Sequence, residues 1–203
     1  MAYILGFIYA DGNIIYTKRN TWFWSLQITD EDILESIKNA VDSSHIISKK
    51  RKYPNQKQQF RIQVGSKEMC VDLLNLGLTE RKSKTIILPE ISEKYFPDFV
   101  RGYFDGDGGV WIGFKNKYRK NKTYAISAYF TSGSRQFLVG LKDALFKYGL
   151  LGGSLVQKER GFDLKYSIND SLILYKIMYN DSCTLFLKRK RDRFESYIEK
   201  MRS

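Results

Sequence analysis

Residues 100–109, VRGYFDGDGG, end an apolar run with two carboxylates set among four glycines. Read as a helix entering at Pro97, the stretch puts Phe99, Tyr103 and Phe104 at helical spacing and sets Gly102 and Gly106 four apart on one face. Such a face lets a second backbone come very close. Gly108 and Gly109 are expected to stop the helix in the left-handed cap conformation, which glycine adopts without a Cβ clash. Asp107 then sits in the last turn with its side chain free. A carboxylate there adds to the partial negative charge of the helix C-terminus, so a cation is expected close by.

The same object opens the chain. Residues 4–13 read ILGFIYADGN, with Gly6 and Ala10 as the small face and Asp11-Gly12 as the ending. Asp11 and Asp107 are 96 positions apart (107 − 11) in a chain of 203, so the sequence divides into two halves, each headed by this helix. A single Asp-Gly after an apolar run is an ordinary turn. Two copies, each with a small residue five positions and one position before the Asp, are not accounted for that way.

Both stretches resemble the motif of the LAGLIDADG homing endonucleases in the single-chain form that carries two copies. Gly6, Ala10, Asp11 and Gly12 match in the first copy, and Gly102, Asp105, Gly106, Asp107 and Gly108 in the second. Tyr9 stands where the family often has its first Asp, and Arg101 where it often has Ala. The resemblance covers nearly the whole chain. It implies an α+β fold of two pseudo-symmetric αββαββα halves, residues 1–96 and 97–203. Their antiparallel sheets would form a saddle on duplex DNA, with the motif helices at the central interface. It further implies a monomer that binds a long asymmetric site and makes a metal-dependent double-strand break with short 3′ overhangs. Mg²⁺ is the implied cofactor, with Mn²⁺ able to replace it and Ca²⁺ supporting binding without cleavage. An RNA-binding intron maturase, or a sequence-specific regulator without a working metal site, would use the same fold.

Composition agrees with a polyanionic partner. The net charge is +12; residues 1–96 hold 14 of the 34 Lys and Arg against 11 acids, leaving 20 against 11 for the remainder. A hydrophobic content of 43% over 203 residues is enough for a real core. No apolar run is long enough to cross a membrane, and nothing reads as a signal peptide. Cys70 and Cys183 lie in apolar segments and read as reduced core residues of an intracellular protein that needs no obligate protein partner. With His45 the only histidine, a zinc site is excluded and any metal chemistry must rest on oxygen ligands.

Taken in order, residues 14–16 and 22–29 read as strands around a polar turn that holds Lys18 and Arg19. Trp22, Trp24, Leu26 and Ile28 form an apolar face, so these tryptophans are assigned to the core, and Trp111 with them. A helix from Asp30 to about residue 41 follows. Strands 46–53 and 58–64 flank a tip, KKRKYPNQKQ, whose five basic residues are Lys49, Lys50, Arg51, Lys52 and Lys57. On the return strand Gln59, Arg61 and Gln63 share one face and suit hydrogen bonding to base edges in a major groove; a merely solvated face is the alternative. A helix over 67–76 and a connection over 79–97 complete this half. The second half repeats the pattern: strands 110–114 and 124–131 around a tip holding Lys115, Lys117, Arg119, Lys120 and Lys122, then a helix over 134–148. Strands 154–159 and 162–168 form a hairpin around Arg160-Gly161, with Lys158, Asp163 and Lys165 polar and Lys158, Arg160 and Lys165 as further DNA contacts, and helices over 170–180 and 185–201 end the chain.

A phosphodiester resists hydrolysis because its charge repels nucleophiles and its leaving oxygen needs stabilising; divalent metals answer both problems. Mg²⁺ takes few protein carboxylates and keeps waters and phosphate oxygens as its other ligands. One carboxylate per half, Asp11 and Asp107, is therefore a sufficient metal site. Asp105 falls elsewhere around its helix and reads as structural. The family commonly has a lysine near the active site from the region that ends each half, which points to Lys82 and Lys190 as catalytic, with Lys84 and Lys188 as rivals. Asp30 and Ser132 match the family's variable water-holding position, although both could simply cap helices.

Overall fold

The structure, a computed structural model, describes the chain except Arg19, Tyr53, Glu80, Arg81, Lys117, Arg119, Asp181, Ser182 and Ser203. Helix α1 (Ala2–Asp11) is apolar on every side, and Tyr3, Ile4, Gly6, Phe7, Ile8 and Tyr9 are all buried. A helix of that kind belongs inside a protein. Its partner is α4 (Phe96–Asp107), started by Pro97 in its first turn, where the missing N–H costs nothing. The two pack along their length. A Cβ on Gly6 would overlap the carbonyl of Phe99, and one on Gly102 would overlap the carbonyl of Tyr3, so each glycine admits the other helix's backbone.

From α1 the chain runs into β1 (Asn13–Tyr16), β2 (Trp22–Ile28), α2 (Glu31–Ala40), β3 (Ser48–Lys49), β4 (Phe60–Gly65) and α3 (Lys67–Asn75), then a short 3₁₀ turn, Lys82–Lys84. From α4 it runs into β5 (Gly108–Lys115), β6 (Thr123–Ser132), α5 (Arg135–Phe146), β7 (Ser154–Lys158), β8 (Gly161–Lys165), α6 (Ile168–Met178) and α7 (Lys188–Arg202). The strands form two four-stranded antiparallel sheets, ordered β1-β2-β4-β3 and β5-β6-β8-β7. The two-half, α+β reading of the sequence is what the chain adopts.

In each sheet alternate residues face the helices. Trp24, Leu26, Ile62 and Val64 are buried in one half, and Ile126, Ala128, Phe130 and Leu164 in the other. The opposite faces stay open. There Gln27 pairs with Arg61 and Ser25 with Gln63, while Thr131 pairs with Asp163 and Tyr129 with Lys165. Gln59, Arg61 and Gln63 thus lie on the open face as the alternation required.

Three expectations need correction. The strand expected over 46–53 is only the two residues of β3, with Ile46 84% exposed; five like charges at the tip give the chain no packed face to continue the ladder. Trp111 is 40% exposed and stands on the open face of β5, because Val110 and Ile112 take the core side. Gly12 (φ −80°, ψ 160°) and Gly108 (φ −100°, ψ 171°) are extended, not left-handed, since each chain passes directly from helix to strand. Glycine is needed at these two for space, as a Cβ would press on Ile8 or Phe104 one turn back.

Candidate functional site

Because α1 and α4 touch along their small faces, their C-termini emerge together, each running straight into the first strand of its own sheet. Asp11 and Asp107 are the last residues of these helices. A Cβ on Gly106 would lie 3.3 Å from Oδ2 of Asp11, so the carboxylate of one half reaches the motif of the other. Burial raises the pKa of Asp11 against the pull of Lys190, Lys82 and Arg189. Burial first, and then repulsion from Asp11, push Asp107 up to about 6, with Lys82 and Lys190 opposing. Two carboxylates that repel one another, Asp11 exposed and Asp107 partly buried, form a place where a hard cation relieves the repulsion. Among the described residues no group of three or more His, Cys, Asp or Glu could hold a metal. A metal on this pair would therefore need water or phosphate oxygens for its remaining ligands, as Mg²⁺ prefers.

The cations anticipated beside these helix ends are Lys82 and Lys190. Lys82, on the 3₁₀ turn, donates to the carbonyls of Tyr9 and Ala10, each at 2.5 Å. Lys190, in the first turn of α7, lies within 2.6 Å of the carbonyls of Phe104 and Asp105, 3.1 Å of Gly106 and 2.7 Å of Gly108. Each ammonium thus bonds carbonyls at the C-terminus of a motif helix and offsets the negative end of the dipole there. Both lysines are buried, and desolvation lowers each to about 8 against the attraction of the carboxylates. Of the carboxylates acting on Lys82, Asp107 outweighs its own half's Asp11, and Lys190 outweighs Lys82 at Asp11. The site is composite, with neither half supplying it alone.

The rest of the motif holds these groups in place. Asp105 is sealed from solvent and accepts from Tyr3 Oη (2.9 Å), Tyr179 Oη (3.3 Å) and the Leu187 N–H (2.8 Å). Burial leads in raising it to about 6. At the matching place in α1, the Tyr9 hydroxyl donates to the Leu76 carbonyl. Both residues tie a motif helix to the segment that delivers its lysine. Arg101, only 3% exposed, does the same, donating to the carbonyls of Leu185 and Met178 at 2.8 Å. The departures at Tyr9 and Arg101 are structural members.

Around this centre, Lys18, Lys49, Arg51, Lys52, Lys57, Lys115, Lys120, Lys122, Lys158 and Arg160 are exposed, and Lys50 and Lys165 partly so. Arg19, Lys117 and Arg119 lie outside the described residues. Lys188 points away into an ion pair with Asp192 at 2.7 Å, and Lys84 lies near Gly133, so neither rival displaces the buried lysines. Asp30 precedes α2 without a side-chain cap bond; instead both its oxygens accept from Arg189 Nε, at 2.9 and 3.0 Å, across the two halves. Ser132 Oγ accepts from the Ser134 N–H (3.1 Å), while Ser134 caps α5 through the Phe137 N–H. Sequence reasoning missed Arg189, since nothing local links positions 159 apart. Asp163 reads from the sequence only as a polar strand residue, and Tyr129 is given no role there.

The raised pKa of Asp107 sets an expected pH dependence. A cation on the pair must displace its proton, so Ca²⁺ affinity should be level above about pH 7 and fall roughly tenfold per unit below about 6. Calorimetric titration across this range checks it. Affinity independent of pH would remove Asp107 from any cation site.

No protein-family model matches the sequence. An uncharacterized protein of Methanocaldococcus jannaschii is 24% identical over 221 aligned residues, covering 99% of this chain and 72% of its own length. A second uncharacterized protein of that organism is 27% identical over 121, covering 58% and 44%. Among solved structures, the homing endonuclease I-WcaI bound to its DNA recognition sequence superposes with a TM-score of 0.68 at 18% identity, over 95% of this chain and 84% of that one. The LAGLIDADG meganuclease I-AabMI bound to uncleaved DNA gives 0.62 at 17%, over 98% and 90%. The I-LtrWI LAGLIDADG homing endonuclease bound to target DNA gives 0.61 at 14%, over 99% and 90%.

Proposed function

We propose that this chain, which has the fold of the single-chain LAGLIDADG homing endonucleases, is a site-specific nuclease that binds a long asymmetric duplex and breaks both strands. The observation that carries the reading is the composite centre. Two carboxylates from opposite halves meet at the helix ends beside two buried ammoniums, each helix leading directly into the first strand of its own sheet. A fold needs no such arrangement for stability, because it buries two lysines and crowds two carboxylates at one point. Solved neighbours are bound to DNA, which supports duplex DNA as the ligand of the open faces.

Asp11 and Asp107 are the residues that would hold Mg²⁺. When bound, the metal supplies charge neutralisation at the phosphate and lowers the pKa of a coordinated water. The chain's own part is to bring the carboxylates together and keep their positions. Lys82 and Lys190 do this by pinning the last carbonyls of α1 and α4 and adding positive potential where phosphate charge increases. Here their role is assigned through the backbone, not through a direct bond to the attacking water.

The open faces and basic tips supply affinity. If about eight phosphates are neutralised, affinity should fall roughly 10³- to 10⁵-fold between 50 and 200 mM salt. A gel-shift series on duplex DNA measures this, and a flat series would remove the tips from the phosphate backbone. The proposal as a whole is tested on a plasmid carrying the uninterrupted form of the sequence around the gene. Mg²⁺-dependent linearisation is expected. Binding without cleavage in Mg²⁺ and Mn²⁺ would favour a regulator, and binding of RNA alone a maturase.

A further inference from the structure

On the open face of the second sheet is a cleft of about 420 Å³ lined by Trp111, Tyr129, Lys158, Asp163 and Lys165 among others. The Asp163 carboxylate is 1% exposed although it stands on the face turned away from the core. Its Oδ1 accepts from Thr131 Oγ1 at 2.8 Å. Its Oδ2 lies 2.6 Å from Lys158 Nζ and 3.5 Å from Lys165 Nζ, so one oxygen gathers ammoniums from two strands. The lysine side chains remain about half exposed, at 49% and 42%. Two aromatic rings close the sides. Trp111 lies against Gly113, and the phenol end of Tyr129 crosses Gly109, while Lys158 Nζ sits 5.7 Å from the Tyr129 ring centre.

The first sheet has different chemistry at the same place. Gln27 and Thr131 each lie three residues before the N-cap of the following helix, Asp30 and Ser134. Their ladder partners are Arg61 and Asp163 respectively. Where one half offers a guanidinium, the other buries a carboxylate and presents the two ammoniums it holds. A buried Asp that only filled space would cost desolvation for no gain. Mobile lysines meant for phosphate would need no anchor, since a phosphate contact tolerates a flexible point charge.

We propose that Asp163 is a positioning residue that fixes Lys158 and Lys165 as paired hydrogen-bond donors for guanine in the second half-site. The proposal rests on the DNA-binding reading above. Guanine presents the acceptors O6 and N7 on its major-groove edge, the commonest target of a cationic side chain, and no other base offers two acceptors side by side. Lys165 lies on β8 and Lys158 on the neighbouring β7, and both ammoniums converge on one oxygen of Asp163, so the two donors are held side by side from adjacent strands. The aromatic walls limit where the ammoniums can swing. Thr131, bonded to the other oxygen, keeps the carboxylate from rotating.

The test is selection of bound sites from a randomised duplex library, in Ca²⁺, by the wild-type chain and by the Lys158→Ala, Lys165→Ala, Asp163→Asn and Arg61→Ala variants, each checked for a cooperative thermal melt. Wild-type selection should show guanine at one or two adjacent positions that both lysine variants relax by about 5- to 150-fold. Asp163→Asn should relax the same positions, leaving those that depend on Arg61 unchanged. Lysine variants that weaken every sequence alike and lower the salt slope by about one would place these groups on phosphate and overturn the proposal. An Asp163→Asn variant with wild-type guanine selection would overturn the positioning role. If it does not fold, the exposed lysine variants still decide the base assignment, and Asp163→Glu, which keeps the charge, decides the positioning: retained selection supports it and lost pairing specificity without loss of fold overturns it. A wild-type chain that selects no duplex at all would be failure of the DNA-binding reading itself.

Discussion

Replacing Asp107 with Asn should give a protein that is more stable without metal, still binds its duplex and no longer cuts it. Burial and the Asp11 charge hold Asp107 protonated up to about pH 6, whereas in the unfolded chain it ionises near 3.8. Its contribution to stability is therefore present below about pH 4 and lost as pH rises through 6. At neutral pH the ionised carboxylate works against folding, and the neutral amide removes that penalty. With partial exposure discounted, a gain of roughly 1–2 kcal/mol is expected, or about 2–8 °C in melting temperature for a chain of this size. Asp11→Asn should move in the same direction, since burial raises that group too. Cleavage should fall roughly 10²- to 10⁴-fold in either variant, because Lewis-acid stabilisation is several kcal/mol and each 1.36 kcal/mol is tenfold. Melting curves at pH 5 and 7.5, beside cleavage and gel-shift assays, separate the effects. Destabilisation together with lost binding would make these aspartates structural.

Gly6→Ala and Gly102→Ala should be the most damaging small substitutions in the chain. Each added methyl would meet backbone, the carbonyl of Phe99 in one case and of Tyr3 in the other, and a backbone cannot rotate aside as a side chain can. The helices must separate, which opens the contact that buries Phe7, Phe99 and Tyr103. Overpacking ordinarily costs 1–3 kcal/mol; with two rigid helices forced apart, about 3 kcal/mol or more is expected. Cleavage should drop further than the folded fraction does, since Asp11 and Asp107 ride on the separated helices. Denaturant unfolding and cleavage measured on the same preparations check both parts. A Gly102→Ala variant of wild-type stability would contradict the close packing.

Much of this was legible because the motif occurs twice. The repeat of Gly6-Ala10-Asp11 as Gly102-Gly106-Asp107 identified the close-packed helices, and the electrostatic oddity of an Asp at a helix C-terminus demanded the cations that Lys82 and Lys190 provide. What those lysines bond to was not legible, since choosing backbone carbonyls over solvent depends on how the preceding segments are tied down by Tyr9, Arg101 and Asp105. Trp111 was readable and misread. Val110, Ile112 and Phe114 alternate with Trp111, Gly113 and Lys115, which already puts the tryptophan opposite the apolar set. Ion pairing of Asp30 with Arg189, and of Asp163 with Lys158 and Lys165, follows from strand order and the meeting of the halves, neither of which a linear pattern contains.

If Asp11 and Asp107 form one composite centre that serves both strands, the most direct measurement is run-off sequencing of both cut ends of the target after digestion in Mg²⁺. Two cuts, one per strand, offset to leave short 3′ overhangs and lost together in Asp11→Asn and Asp107→Asn, are the result expected. Intact DNA at a site the protein binds tightly, or cuts that persist unchanged in both variants, would contradict it.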